Sequence, residues 1–231
     1  MWLKRVATVT ESMSRKKLIK FSQNWDRDNI LEPGKPLYDE IKGRWNSHFF
    51  NNSNDICIEL ACGRGEYTTG LATVFPQKNF IGVDVKGDRL WYGSNVAINN
   101  NLQNVCFLRT QIQMLSVFFA EAEIAELWIT FPDPRPRKRD AKRRLTHPRY
   151  LELYRSVLKP GGWVKFKTDN RQLFEYTLEV LQQVQVNDLQ HTFDLYQSPL
   201  LAEHYQIQTR YERIFSGQGH KIHYLKFRFG Q

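Results

Sequence analysis

Ile56-Cys57-Ile58-Glu59-Leu60-Ala61-Cys62-Gly63-Arg64-Gly65-Glu66 is a strand-length apolar run that carries an acid and breaks into a turn with two glycines. A glycine turn between a first strand and a helix lets the backbone approach a ligand at the carboxyl edge of a sheet. The dinucleotide pattern G-x-G-x-x-G requires glycine at 68, where Thr68 stands, and Glu59 would repel a pyrophosphate. A dinucleotide is therefore the poorer choice among nucleotide-like ligands. Beyond the turn, Asp84 ends the next apolar run, where a carboxylate accepts hydrogen bonds from both hydroxyls of a ribose. Ala61 is accommodated in this turn provided that its position requires no positive φ.

The flanking sequence repeats the strand-helix alternation. Asn79–Asp84, Val105–Leu108, Leu127–Phe131 and Trp163–Lys167 are further short apolar runs, separated by helix-length periodic segments. That pattern predicts βαβ units and a doubly wound, mostly parallel α/β sheet. Leu37, Ile41, Trp45 and Phe49 fall at every fourth position and predict an amphipathic helix ahead of the first strand. A helix led by Pro148 is expected to stop at Lys159-Pro160-Gly161-Gly162, and residues 172–186 predict another. Tyr224–Phe229 alternates like a half-buried strand, with Thr192–Tyr196 as its expected antiparallel partner. The whole chain, 1–231, is expected to be one domain with a basic extension at about 1–35.

Composition sets the class. The chain has 231 residues, 41% of them apolar and 13% aromatic, enough for one sizeable core and inconsistent with disorder. No apolar run approaches a membrane span, and the amino terminus lacks a signal-peptide core. Cys57, Cys62 and Cys106 suit a reducing compartment, so the expected location is cytoplasmic. Cys62 has no activating histidine nearby in sequence and is expected to be a small buried side chain. His147, His204, His220 and His223 lack metal-ligand spacing, so no metal is expected.

The net charge of +9 is localised. Residues 1–20 and 135–144 hold thirteen basic residues against two acids, while the remaining 201 are close to neutral. Such patches suggest a polyanion partner held through phosphates. The second patch follows Phe131-Pro132-Asp133-Pro134 directly, so an acid held between two prolines at the sheet's carboxyl edge adjoins a cationic loop.

Glu59, the glycine turn and Asp84 resemble the first two motifs of class I S-adenosylmethionine-dependent methyltransferases. The segment FPDPRPRKRDAKRRLTHPRYLELYRSVLKPGG, with Thr168-Asp169 and Thr209-Arg210-Tyr211-Glu212 after it, closely resembles the bacterial tRNA (guanine-N7-)-methyltransferase family. That resemblance runs from about Asp55 to Phe229. It implies S-adenosylmethionine as cofactor, with contacts at Glu59, Gly63, Gly65, Asp84 and Gln111. It further implies a catalytic Asp133 and tRNA contacts at Arg137, Asp169, Thr209 and Glu212. The chain departs from the family at Arg135-Pro136, where the family generally has tryptophan then histidine, at Arg137, which replaces lysine, and at Gln111, which replaces an acid. Other readings are a methyltransferase for another RNA and a non-catalytic RNA-binding module on the same fold. The sequence leaves monomer and homodimer equally open.

Overall fold

The computed structural model describes residues 17–230. The basic residues Lys4, Arg5, Arg15 and Lys16 lie outside the described part. Eight strands form one sheet: β1 Ile30–Leu31, β2 Ile56–Leu60, β3 Asn79–Asp84, β4 Val105–Arg109, β5 Ile124–Thr130, β6 Leu158–Thr168, β7 Val186–Thr192 and β8 His223–Phe229. Their order is β1-β4-β3-β2-β5-β6-β8-β7. Neighbours from β1 to β6 pair parallel, and β8 runs antiparallel to both β6 and β7. The expected mostly parallel sheet with an antiparallel C-terminal strand is the one observed.

Period-two alternation divides the core. Ile56, Ile58 and Leu60 project to one face of β2, where helices α3 (Pro148–Val157) and α4 (Arg171–Gln183) pack through Leu151, Tyr154, Phe174 and Leu181. Cys57 projects to the other face with Phe80, Phe107 and Trp128. There α1 (Glu66–Val74) and α2 (Gly87–Asn99) cover the sheet through Tyr67, Leu71, Leu90 and Ala97. All five β2 residues are buried, as expected of a central strand covered on both faces. The chain order reverses around β2, with β3 on one side and β5 on the other, which opens a crevice above its carboxyl end.

Two expected elements require correction. Leu37, Ile41, Trp45 and Phe49 do not share one helix: a 3₁₀ turn, Pro36–Asp39, is separated from a π-helical turn, Trp45–Phe50. Gly43, at φ +71°, breaks the path between them. Ile41 and Trp45 are nevertheless fully buried, so the apolar spacing reported burial and the glycine decided conformation. The partner of β8 is Val186–Thr192, while Leu195–Gln197 is a 3₁₀ turn. Along β7 the inner positions are exposed, so the apolar alternation that would reveal this edge strand is absent.

The glycine turn itself is over-determined. Gly65 has φ +68°, and a Cβ there would lie 2.4 Å from the buried Phe107 ring and 3.3 Å from Gly93 Cα. Gly63 also has positive φ, +57°, but a Cβ there meets nothing within 4 Å. Gly65→Ala is therefore expected to cost about 3 kcal/mol or more, from overpacking added to the left-handed backbone. Gly63→Ala should cost only the backbone contribution, about 1–2 kcal/mol. Denaturant unfolding of both variants measures the difference.

Candidate active site

Glu59 stands at the convergence of three elements. Its Oε2 accepts from the backbone N–H of Thr68 at 2.9 Å and from the Thr68 hydroxyl, and its Oε1 accepts from the Thr130 hydroxyl at the end of β5. The residue is 3% exposed, and burial pushes its carboxyl up to about 7 against the pull of the Thr130 and Thr68 hydrogen bonds. Glu59 therefore ties β2 to the first turn of α1 and to the end of β5.

Asp84 has the geometry of a receptor. Its Oδ2 accepts from Gly63 N–H at 3.0 Å and its Oδ1 from Lys86 N–H at 2.9 Å, which fixes the carboxylate at the carboxyl end of β3. Each oxygen keeps lone-pair capacity toward the cleft. Two lobes meet at Ala61. The first, about 320 Å³, is lined by Asp84, Thr110, Ile112, Asp133, Arg143 and Tyr150 among others. The second, about 290 Å³, is lined by Gly63, Arg64, Tyr92, Phe131 and Thr209 among others. Ala61 has φ +55°, so the position does require the left-handed conformation that alanine adopts only at a cost. Gln111 is exposed and does not line the first lobe, whereas Ile112 and Gln113, in the 3₁₀ turn that it precedes, do. Cys62 is buried, which raises its thiol and leaves it unsuited to nucleophilic attack.

The loop after β5 carries backbone strain at both ends. Phe131 has φ +46° and Arg135 φ +47°, both in the left-handed region and flanking Asp133. The Phe131 N–H bonds to Lys167 O at 2.8 Å, and the Arg135 carbonyl accepts two bonds, from Arg144 Nε at 3.2 Å and its terminal nitrogen at 3.1 Å. Arg144 is 7% exposed, with its guanidinium 4.3 Å from the centroid of the Tyr176 ring. It is therefore a clasp on the Asp133 loop, where charge patterning had placed it among solvent-facing cations. Asp133 itself is exposed, and its Oδ2 pairs with Arg135 Nε at 3.1 Å. Arg137, Lys138, Arg139, Lys142 and Arg143 face solvent beside it.

The C-terminal segment returns to the cleft through α5 (Arg210–Gly217). Thr209 caps this helix, its hydroxyl accepting from Glu212 N–H at 3.1 Å, and it lines the second lobe. Glu212 is fully buried. Its carboxylate takes Lys167 Nζ at 2.9 Å, His204 Nε2 at 2.9 Å and the Tyr196 hydroxyl at 3.2 Å. Burial opposes its charge, but His204 and Lys167 hold it below the ordinary carboxylate range. Glu212 thus anchors α5 to β6, and of the two residues expected to contact tRNA in this motif it is Thr209 that lines the cleft. Asp169 is half-buried just past the end of β6. Among the described residues no group of three or more His, Cys, Asp or Glu side chains is placed to hold a metal ion. Nor is any helix among them long and apolar enough to cross a membrane.

A doubly wound sheet with a glycine turn after its central strand and a carboxylate ending the next is built for a nucleotide-like ligand, and with β8 antiparallel at its far side it has the fold of methyltransferases of known structure. The 16S rRNA methyltransferase KamB has the same fold, with a TM-score of 0.60 at 12% identity over 83% of this chain and 95% of that one. A 30S ribosomal A1408 methyltransferase from an uncultured bacterium gives 0.57 at 16% identity, with the same coverage. A family model described as "Putative methyltransferase" matches residues 53–225. The tRNA (guanine-N(7)-)-methyltransferase of Cytophaga hutchinsonii is 52% identical over 219 residues, spanning 94% of this chain and 99% of that protein. Its namesake in Bacteroides thetaiotaomicron is 41% identical over 223 residues, 95% of this chain and 88% of that protein. This chain belongs to the tRNA (guanine-N7-)-methyltransferase family.

Two outcomes test the local physics. Arg144→Ala removes a buried charge-assisted pair of hydrogen bonds and should cost about 2–3 kcal/mol, whereas the exposed Arg139→Ala should cost about 0.5 kcal/mol or less in the same denaturation experiment. Glu59 holds its proton in the folded state above pH 4.5, where the unfolded carboxyl has begun to lose it. Its contribution to stability is therefore full below about pH 4.5 and is lost as pH rises through about 7. Glu59→Gln should flatten this slope, so the parent should lose more melting temperature between about pH 5 and pH 8 than the variant does.

Proposed function

We propose that this chain transfers the methyl group of S-adenosylmethionine to N7 of a guanosine in tRNA. The observation that carries the reading is the position of Asp133. It sits on a loop constrained at both ends, in the same lobe as the ribose-type acceptor Asp84, and beside a row of solvent-facing cations. The residues present fit the cofactor: Asp84 has acceptor capacity toward the cleft, and a Cβ at Gly63 would project into open space. When bound, the cofactor supplies an electrophilic sulfonium methyl. Asp84 would hold the ribose hydroxyls, Gly63 and Gly65 shape the turn beneath, and Glu59 keeps that floor in register. Ile112 and Gln113, which line the lobe next to Gln111, would flank the adenine.

Guanine N7 is a neutral nitrogen with an exposed lone pair and no proton to lose, so attack on the methyl needs no general base. The protein's tasks are to orient the base and to stabilise the positive charge that the ring acquires. Asp133 is suited to both, accepting from the base's N1–H and amino groups. Its present partner is Arg135, and an ion pair this exposed contributes about 0–1 kcal/mol, so exchanging it for guanine is inexpensive. Asp169 borders the same edge, Thr209 closes the far lobe, and Arg137 with Lys138, Arg139, Lys142 and Arg143 grips phosphates without reading sequence. A non-catalytic RNA-binding role is disfavoured because Asp84, Asp133 and the open turn are all retained. The cytoplasm, where tRNA is modified, is the location that follows from this reading.

Incubation with labelled cofactor and bulk tRNA, followed by nucleoside analysis, should yield 7-methylguanosine; another methylated nucleoside would overturn the assignment. In single-turnover experiments with saturating tRNA, Asp133→Ala should slow methyl transfer by about 100-fold and Asp133→Asn by less. A parent-like rate for Asp133→Ala would move the role to Asp169. Replacing Arg139 and Arg143 with alanine should weaken tRNA binding and flatten its salt dependence, with cofactor affinity unchanged.

A further inference from the structure

The second lobe has a wall that neither the motif reading nor the family resemblance assigns. Lys20, in the helical segment 17–25, and Arg64, in the glycine turn, converge on one aromatic ring in α2. Lys20 Nζ lies 4.0 Å from the centroid of the Tyr92 ring and donates to its hydroxyl at 2.6 Å, and the Arg64 guanidinium lies 4.4 Å from the same centroid. All three residues line the lobe. Among the described residues neither cation has a carboxylate within ion-pair distance. Of the two acids in the lobe, Glu66 accepts the Arg210 N–H at 2.8 Å, and Asp88 pairs with neither cation.

The segment that delivers Lys20 is docked by contacts of its own. Asn24 Nδ2 donates to Gly87 O at 2.8 Å, and Trp91 Nε1 donates to Gln23 Oε1 at 2.6 Å. The Phe21 ring fills the space that a side chain at Gly87 would need, 2.7 Å from such a Cβ. Just beyond the helical segment, Arg27 donates to Trp91 O at 2.9 Å and to the Ser94 hydroxyl at 3.0 Å. With no carboxylate among the described residues paired to either, the two cations leave positive charge on the wall of the lobe, and an anion entering it gains charge-assisted hydrogen bonds.

We propose that Lys20 and Arg64, held by Tyr92, form the subsite for the carboxylate at the methionyl end of S-adenosylmethionine, so that the helical segment 17–25 completes the cofactor site through Lys20. The inference rests on the cofactor reading above and on the shape of the cleft. A ligand anchored by its ribose at Asp84 passes Ala61, which both lobes share, and its far end then enters the lobe that these two cations line. That end of the cofactor carries its single carboxylate. The basic patch at 1–20, which sequence charge alone directs toward RNA phosphates, acquires through Lys20 a second role.

Decarboxylated S-adenosylmethionine, which lacks only this group, separates the possibilities in equilibrium titrations of the parent, Lys20→Met and Arg64→Leu. Each variant should lose about tenfold in affinity for S-adenosylmethionine and stay within about twofold of the parent for the decarboxylated compound. Affinity for cofactor-free tRNA and its salt slope should be unchanged. Equal losses for both compounds would overturn the proposal, because the side chains would then act through the fold of the lobe. Undiminished S-adenosylmethionine binding with weakened tRNA binding would overturn it as well and assign the cations to phosphates. Failure of the parent itself to bind S-adenosylmethionine would overturn the cofactor reading and this subsite with it.

Discussion

The carboxylate of Glu59 is buried where β2, the first turn of α1 and the end of β5 meet, and it is hydrogen-bonded to Thr68 and Thr130. A buried acid in such a place is expensive unless its acceptor capacity is met, and here the hydroxyls and the N–H that meet it belong to the elements forming the cleft. The glycine turn is held between this carboxylate below and that of Asp84, bonded to Gly63 N–H, beside it. The floor of the cleft is therefore fixed before any ligand arrives, which is what a reaction dominated by positioning requires.

The basic run after β5 divides into two kinds of cation. Most of its members face solvent, where their long side chains remain available to phosphates at little conformational cost. Arg144 turns inward, covers the Tyr176 ring and satisfies the carbonyl of Arg135, a residue held in the left-handed region. Arginine suits this task because its planar fork donates twice to one acceptor and stacks on an aromatic face, neither of which a lysine does as well. The strain at Phe131 and Arg135 is thereby balanced by bonds from outside the loop, and Asp133 is presented between two fixed points.

Across the cleft, the Thr209–Glu212 motif works through burial. Glu212 and Lys167 form a buried ion pair between α5 and β6, with His204 hydrogen-bonded to the same carboxylate, and removing either partner of the pair would leave charge in a low-dielectric interior. The cluster sets the start of α5, and so the height at which Thr209 stands over the second lobe. Lys167 reaches it from the strand whose carbonyl also holds Phe131, so the two walls of the cleft share one residue.

Hydrophobic period and turn chemistry were enough to lay out the doubly wound sheet, because a strand buried on both faces must be apolar throughout and a positive-φ turn favours glycine. Asp84 and Asp133 fall at one edge because the first ends a strand of the parallel sheet and the second lies in the loop just after another. Hydrophobic period failed where spacing and conformation part company. Gly43 broke the helix that Leu37 to Phe49 implied, and the exposed β7 carried no alternation to read. Side-chain direction was also beyond the sequence. Arg139 and Arg144 are the same residue type in one cationic run, yet only Arg144 finds a ring to cover, from α4, and a carbonyl to bond, from Arg135. The burial of Glu59 and Glu212 was likewise not legible, because the sequence shows charge and not surroundings. Their oxygens bond to Thr68 and Thr130 and to His204 and Lys167, and of these Thr130 and Lys167 are far along the chain and come within reach only in the closed fold.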